Sequence, residues 1–403
     1  MFANFVLSIR FITVFTNTEI AFRSKSDRQL RNACRLFKAV GSRSAVKAGK
    51  ILLRAAQRVH FQVAWLVKPT IYAHFTGGES IVECGKVVRM LEHYRVRAIL
   101  DYAVEGKRNK EGIRHALEET LRTIDNAARD DNIAFAVFKP SAFMGSLLLE
   151  NAGAGMIPRV EENTEVAHFR EMVDLLCRTA FEKQVRILVD AEESWYQDVV
   201  DEVVTGCMEK YNRGKAVVYN TFQMYRRDRL EALKAAHQRA ADKGCILGAK
   251  FVRGAYMEKE RKRAAELGYP DPIHPDKEST DRDFNAALEY SVRHLDRIHI
   301  LNGTHNEYSS QYLTCLMEDA GISRNDPRCY FSQLFGMSDH ISFNLADRGY
   351  NVAKYLPYGP VKSLLPYLIR RSEENTSIAG QTGRELRLIR EERRRRKLFK
   401  AGS

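Results

Sequence analysis

No stretch of this 403-residue chain carries the about 20 uninterrupted apolar residues that a bilayer-spanning helix needs. The nearest approach, Met1 to Ile20, holds Phe2, Phe5, Val6, Leu7, Ile9, Phe11, Ile12, Val14 and Phe15. Arg10 interrupts it, however, and no small-residue cleavage site follows, as a secretory signal would require. The seven cysteines (Cys34, Cys84, Cys177, Cys207, Cys245, Cys315 and Cys329) are odd in number, widely spaced and never arranged as C-x-x-C. That pattern argues against a disulfide framework or a zinc site and for a reducing compartment, and no metal is expected. A G-x-G-x-x-G fingerprint is missing from the N-terminal part, which disfavours an open dinucleotide-binding sheet. A hydrophobic fraction of 44% with 29% charged residues excludes disordered and collagen-like chains.

What is present begins with charge. The net +13 invites a nucleic acid or an anionic membrane as partner, but it is unevenly spread. Arg384 to Ser403 holds nine Lys or Arg against three Asp or Glu and so supplies +6 of it. No nucleic-acid-binding motif accompanies this block, so nucleic acid is not an expected partner and the tail reads as a solvated, fraying helix. A phosphate-gripping tail is the alternative.

Leu30, Ala33, Leu36, Phe37 and Val40, then Ile51, Leu52, Ala55 and Val59, recur at helical spacing, which predicts a helical arm. After Gly77-Gly78, Ser80-Ile-Val-Glu83 has the form of a capping box opening a helix to about His93. The pattern then changes to short apolar runs separated by amphipathic helices, as expected for parallel strands buried on both faces. Eight runs stand out: Arg97 to Asp101, Ile133 to Lys139, Val185 to Asp190, Ala216 to Asn220, Ala249 to Arg253, Ile298 to Thr304, Cys329 to Ser332 and Asn351 to Tyr355. Eight strand-helix units predict an α/β fold, a distorted (β/α)8 barrel spanning 94–380, between the arm at 1–93 and the basic tail at 381–403.

Polar residues follow each run: Asp101, Lys139, Asp190, Gln223, Arg253 with Tyr256, His305, Gln333, and Lys354 with Tyr355. Strands can simply end where polarity begins, but barrel active sites are built at this C-terminal face. The last helix, Pro360 to Asn375, places Tyr367, Arg370, Arg371 and Glu374 at i, i+3, i+4 and i+7, within an arc of roughly 100°. An exposed Arg370–Glu374 pair explains such a face by itself. Near the mouth of a barrel, the same face can grip a carboxylate with two guanidinium forks and a cationic amine with Glu374, making a receptor for an amino acid.

Lys354-Tyr-Leu-Pro-Tyr-Gly-Pro360 followed by Pro366-Tyr-Leu-Ile-Arg-Arg-Ser-Glu-Glu-Asn375 resembles the signature of the proline dehydrogenases. Further matching segments occur in order: Phe138 to Ala142, Val189 to Trp195, Tyr219 to Tyr225, Val252 to Arg261, Thr304 to Glu307 and Phe331 to Asp339. The likeness runs from about Asn17 to Arg395. It implies FAD at the C-terminal ends of the strands, L-proline as substrate, oxidation to Δ1-pyrroline-5-carboxylate by hydride transfer to flavin N5, and a quinone as electron acceptor. By the same resemblance Arg370 and Arg371 bind the proline carboxylate, and Glu374 and Lys139 complete the polar shell. Tyr256, Tyr355 and Tyr367 wall the ring, and Asp190 orients neighbours such as Tyr355. Ala191, Gln223, Arg253, Gly254, Ala255, Thr304, His305, Asn306 and Gln333 contact the cofactor. Lys250 stands where many members have arginine beside the flavin, keeping the charge but losing the fork. Asp190, Lys250, Tyr256 and Tyr355 are thus the expected catalytic set. Passing electrons to a membrane quinone gives the basic tail or the apolar N-terminus a use as a peripheral membrane contact, on the inner membrane face or, in a eukaryote, the matrix side. A rival reading takes Lys139 as the Schiff-base nucleophile of a barrel aldolase.

Overall fold

Strands enclosed by helices on one side and by each other on the other are largely apolar, and Ile133–Phe138 is buried at every position. It is the second of eight strands: β1 (Arg97–Tyr102), β2 (Ile133–Phe138), β3 (Arg186–Val189), β4 (Val218–Gln223), β5 (Leu247–Val252), β6 (Ile298–Gly303), β7 (Cys329–Leu334) and β8 (Val352–Tyr358). In this computed structural model, which describes residues 15–41, 67–104, 109–153, 164–377 and 381–402, they close in chain order into a parallel barrel with helices in the crossovers. The expected (β/α)8 fold is therefore what the chain forms. The helices used below are α1 (Thr18–Phe22), α2 (Asp27–Val40), α3 (Ile81–His93), α4 (Met257–Leu267), α5 (Lys277–Arg293), α6 (Glu307–Asp319), α7 (Asp339–Asp347), α8 (Val361–Ser377) and α9 (Gln381–Gly402). Among the described residues no helix is long and apolar enough to cross a membrane.

The eight apolar runs each fall on a strand, with shifts at the ends. The last run is extended through Pro357 to Tyr358, although proline cannot donate to a ladder. Its carbonyls still find donors: Gly77 N–H reaches Pro357 O at 2.9 Å and Ala103 N–H reaches Tyr358 O at 3.2 Å. Where β4 and β5 pair Tyr219 with Gly248, a Cβ on Gly248 would sit 2.3 Å from the Val218 carbonyl oxygen, so only glycine permits the approach.

Two compact units make up the chain: Arg97–Tyr102 with Gly106–Ser332, and Met1–Val96 with Ala103–Glu105 and Gln333–Ser403. In the first, the N-terminal ends of the strands are plugged by cations lying on aromatic rings. The Arg186 guanidinium stands 5.7 Å from the Phe135 ring centroid and 5.2 Å from that of Tyr330, and Arg97 Nη1 donates to the Tyr330 hydroxyl at 2.6 Å. Phe135 in turn meets Tyr219 and Tyr330 edge to face.

In the second unit the arm begins as its spacing predicts, with Leu30, Ala33 and Phe37 of α2 buried; Ile51, Leu52, Ala55 and Val59 lie outside the described residues. Ser80 caps α3 by accepting from Glu83 N–H, but Glu83 returns its carboxylate to Glu79 N–H at 3.0 Å rather than to Ser80, so the capping box is displaced by one residue.

The basic tail is not the solvated, fraying helix that its composition suggests. Leu388 and Ile389 of α9 are buried among Ala21, Phe22, Leu30, Ala33, Cys34 and Phe37. Glu392, fully buried, accepts from Thr18 Oγ1 (3.0 Å), Arg395 Nε (2.8 Å) and Arg396 Nε (2.7 Å), while Arg396 also donates to the Phe22 and Lys25 carbonyls. The helix has one narrow inward stripe, which the surrounding arginines conceal in a composition count. Arg387, Arg390, Arg394 and Lys397 face water, with Leu398 and Phe399 beside them.

Candidate active site

Parallel strands end together, so the residues just past them are brought to one face of the first unit. There the structure joins two of them, Lys139 and Asp190, with Asp101 from within β1 and Lys250 from within β5 into an alternating chain of charge. Lys139, after β2, donates to both carboxylate oxygens of Asp101 on β1, at 2.8 and 3.0 Å. Its ammonium also stands 3.4 Å from Asp190, after β3. Asp190 accepts from Lys250 of β5 at 2.6 Å. Burial alone would favour the neutral amine of Lys139, but Asp101 and Asp190 more than reverse that and hold it well above the ordinary lysine range. A lysine kept protonated in this way is a poor Schiff-base nucleophile, so the aldolase reading of Lys139 is not favoured. Lys250 is buried, so the lysine in place of arginine still meets its carboxylate, through one donor instead of a fork.

A second network follows β5 and β6. Arg253 Nε donates to Asp281 of α5 at 2.8 Å, Nη1 to Thr304 Oγ1 at 2.6 Å and Nη2 to Ser309 Oγ of α6 at 3.0 Å, with the guanidinium stacked 4.4 Å from the Phe284 ring centroid. Thr304 Oγ1 also accepts from Asn306 N–H, and Asn306 caps α6 through Ser309 N–H. These residues of the expected cofactor row thus organise one another, with His305 between them in sequence. Gly254 has φ +129°, and a Cβ there would lie 2.5 Å from the Tyr225 ring, so glycine is required. Ala255 after it is exposed and Tyr256 half-buried at the start of α4. Gln223, at the end of β4, is buried with its Oε1 accepting from no described residue. Ala191 lies between Asp190 and Glu192.

In the second unit, Gln333 Oε1 accepts from Ser342 Oγ at 2.7 Å. Lys354 of β8 is buried with Asp339 of α7 at 2.9 Å, and Lys25 stands 3.2 Å from the same carboxylate, which is held well below the usual range despite its burial. Lys354 is therefore committed to the core, and Tyr355 beside it is also buried. On α8, Arg371 lies over the Tyr367 ring at 5.2 Å, as their i, i+4 spacing predicts; both are buried and Arg370 is partly exposed. The Glu374 side chain lies outside the described residues.

Sequence reasoning passed over Glu192, Glu260 and Asp281. Glu192 accepts from Ser141 N–H at 2.9 Å and Ser141 Oγ at 2.7 Å. Burial pushes its carboxyl up to about 7, against the opposing pull of the Ser141 bonds, with Glu193 adding to the rise and Lys139 lessening it. The signal available for it was its place in Val189 to Trp195, two residues beyond Asp190, but adjacent glutamates in a loop ordinarily read as solvated.

Residues 84–384 match the family model described as proline dehydrogenase. Among similar proteins, the chain is 35% identical to a carbapenem antibiotics biosynthesis protein, CarD, of Pectobacterium carotovorum over 80% of this chain and 83% of that one. It is 30% identical to the hydroxyproline dehydrogenase of Xenopus laevis over 93% and 88%. Against the human mitochondrial proline dehydrogenase 1 it is 38% identical over 60% of its own length, spanning 42% of that relative. Among solved structures, a proline utilization A protein of Bdellovibrio bacteriovorus superposes with a TM-score of 0.71 at 20% identity, covering 92% of this chain and 39% of that one, a likeness of fold. With the model covering most of its length, and two relatives at 30% identity or more aligned over most of theirs, the chain belongs to the proline dehydrogenase family.

Proposed function

We propose that this chain oxidises L-proline to Δ1-pyrroline-5-carboxylate with FAD as the immediate acceptor and a quinone as the next, the first step of proline catabolism. The observation that carries this reading is the Asp101–Lys139–Asp190–Lys250 chain of charge at the strand ends of a family member. A site of fixed, mutually neutralised charges suits a small zwitterion better than an apolar ligand.

The residues present fit the cofactor. Gln223 Oε1 is a buried acceptor needing a donor, such as flavin and its ribityl hydroxyls offer, and Gly254 keeps the backbone after β5 free of a side chain. Gln223, Arg253, Gly254, Ala255, Thr304, His305, Asn306, Gln333 and Ala191 would hold FAD, which when bound takes up the hydride leaving the proline ring carbon next to nitrogen. The protein's part is binding and orientation. Arg370 and Arg371 take the carboxylate, with Lys139 and Glu374 in the polar shell. Tyr256, Tyr355 and Tyr367 wall the ring and exclude water, and Asp190 fixes Lys139 and Lys250. The amine has to lose its proton before the hydride leaves, and Lys139, held protonated, is not the base.

Arg370→Met and Arg371→Met should each lower kcat/KM for proline by a factor corresponding to about 2–5 kcal/mol while flavin content persists. Near-normal turnover in both would sink the assigned roles. For the quinone arm, exposed Leu398 and Phe399 beside Arg394 and Lys397 on α9 offer an apolar and cationic patch to an anionic membrane surface. Co-sedimentation with phosphatidylserine-containing vesicles should weaken in the Leu398→Ser, Phe399→Ser double variant, and unchanged binding would remove α9 from that role. The apolar segment 1–14 lies outside the described residues.

A further inference from the structure

Two glutamates of the first unit hold two serines in the same way. Glu192, after β3, takes the N–H and the hydroxyl of Ser141, two residues beyond Lys139, at 2.9 and 2.7 Å. Glu260 of α4 takes the N–H and the hydroxyl of Ser194, two residues beyond Glu192, at 2.7 and 2.5 Å. Both carboxylates are buried, with Glu260 fully so. The loop after β2 is thus clamped to the loop after β3, and that loop to the helix opening after β5, whose first residues follow Tyr256. Between Lys139 and Ser141 stands only Pro140, whose ring fixes φ, so a displacement of Ser141 passes to Lys139 with little slack. Burying a carboxyl costs free energy, and at Glu192 both of its oxygens are met by Ser141.

We propose that Glu192 is a positioning residue for substrate binding, acting through Ser141 on Lys139, and that the Glu260–Ser194 clamp braces it from behind. The ion pair with Asp101 sets where the ammonium is attracted; the clamp sets where the Lys139 backbone starts, and both are needed to place a long, flexible side chain within the tolerance that binding requires. The inference rests on the reading of Lys139 as part of the proline shell.

The test is a double-mutant cycle on the full-length, flavin-loaded enzyme. Glu192→Ala should raise the KM for proline about tenfold with kcat changed less than about threefold, as for loss of one charge-assisted hydrogen-bonded contact. Glu192→Gln, which offers Oε1 to the Ser141 N–H and an amide to its hydroxyl, should restore KM to within about threefold of the parent. In a Lys139→Met background Glu192→Ala should add nothing, because its effect passes through the absent side chain. Should the alanine variant fail to fold, Ser141→Ala carries the same cycle with a smaller rise. An equal rise in both backgrounds overturns the clamp alone. An unchanged KM in Lys139→Met by itself overturns the substrate reading of Lys139, and this inference with it.

Discussion

The two ends of the strands in the first unit handle cations in opposite ways. At the C-terminal ends Lys139 and Lys250 are met by carboxylates, Asp101 and Asp190; at the N-terminal ends Arg97 and Arg186 are met by the faces and hydroxyl of Tyr330 and by Phe135. A carboxylate neutralises a cation and leaves a dipole that a charged ligand can displace. An aromatic face disperses the charge, brings apolar area with it and offers a ligand nothing to exchange for. Cations of the two kinds therefore make a surface of exchangeable ion pairs at one end and a plug at the other.

The largest break in this comparison should come from Lys139→Met, which removes the cation shared by two carboxylates. We expect kcat/KM for proline to fall by a factor equivalent to about 2–5 kcal/mol, and activity within threefold of the parent would leave the C-terminal end no more chemical than the other.

Next in size is pH. Glu192 at the C-terminal end has its carboxyl raised to about 7 by burial, so its contribution to stability is complete below the usual glutamate range near 4.5 and is lost as pH rises towards 7. His299 at the N-terminal end, lowered to about 4 by burial and by Arg186 and Arg328, acts in the other direction: its contribution is complete above 6.5 and is lost as pH falls towards 4. Denaturant titrations of Glu192→Gln should therefore gain on the parent at pH 8 and not at pH 4.5, and those of His299→Gln should gain at pH 4.5 and not at pH 8. Each difference should be roughly 3 kcal/mol. Parallel stability–pH curves for parent and variants would refute both assignments.

The smallest effect sharpens the contrast. Arg186→Met keeps much of the side-chain volume but loses the cation over two rings, costing about 1–2 kcal/mol of unfolding free energy with proline turnover unchanged. A loss of turnover without a loss of stability would mean that the plug is part of the site.

The barrel was legible because strands buried on both faces leave largely apolar runs, and the meeting of Asp101, Lys139 and Asp190 at one face because parallel strands end together. Partnership was not legible. That Lys139 divides itself between Asp101 and Asp190, or that Lys354 is sequestered with Asp339 in the core, depends on distances between residues far apart in the chain, to which periodicity is blind. The tail misled for a related reason: two inward apolar residues, Leu388 and Ile389, and two buried glutamates decide its fate, while the eye is drawn to its arginines. The displaced capping box at Ser80 shows the same limit at short range, because Glu79 competes for Glu83 and spacing alone does not say which neighbour wins.

The packing of α9 on α1 also has a temporal side. Arg396 donates to the Phe22 carbonyl across 374 residues of chain. During synthesis at about 5–20 residues per second, α1 and α2 therefore wait roughly 20–75 s for the helix that covers Phe22, Leu30 and Phe37. For that interval the arm is an apolar surface without its lid.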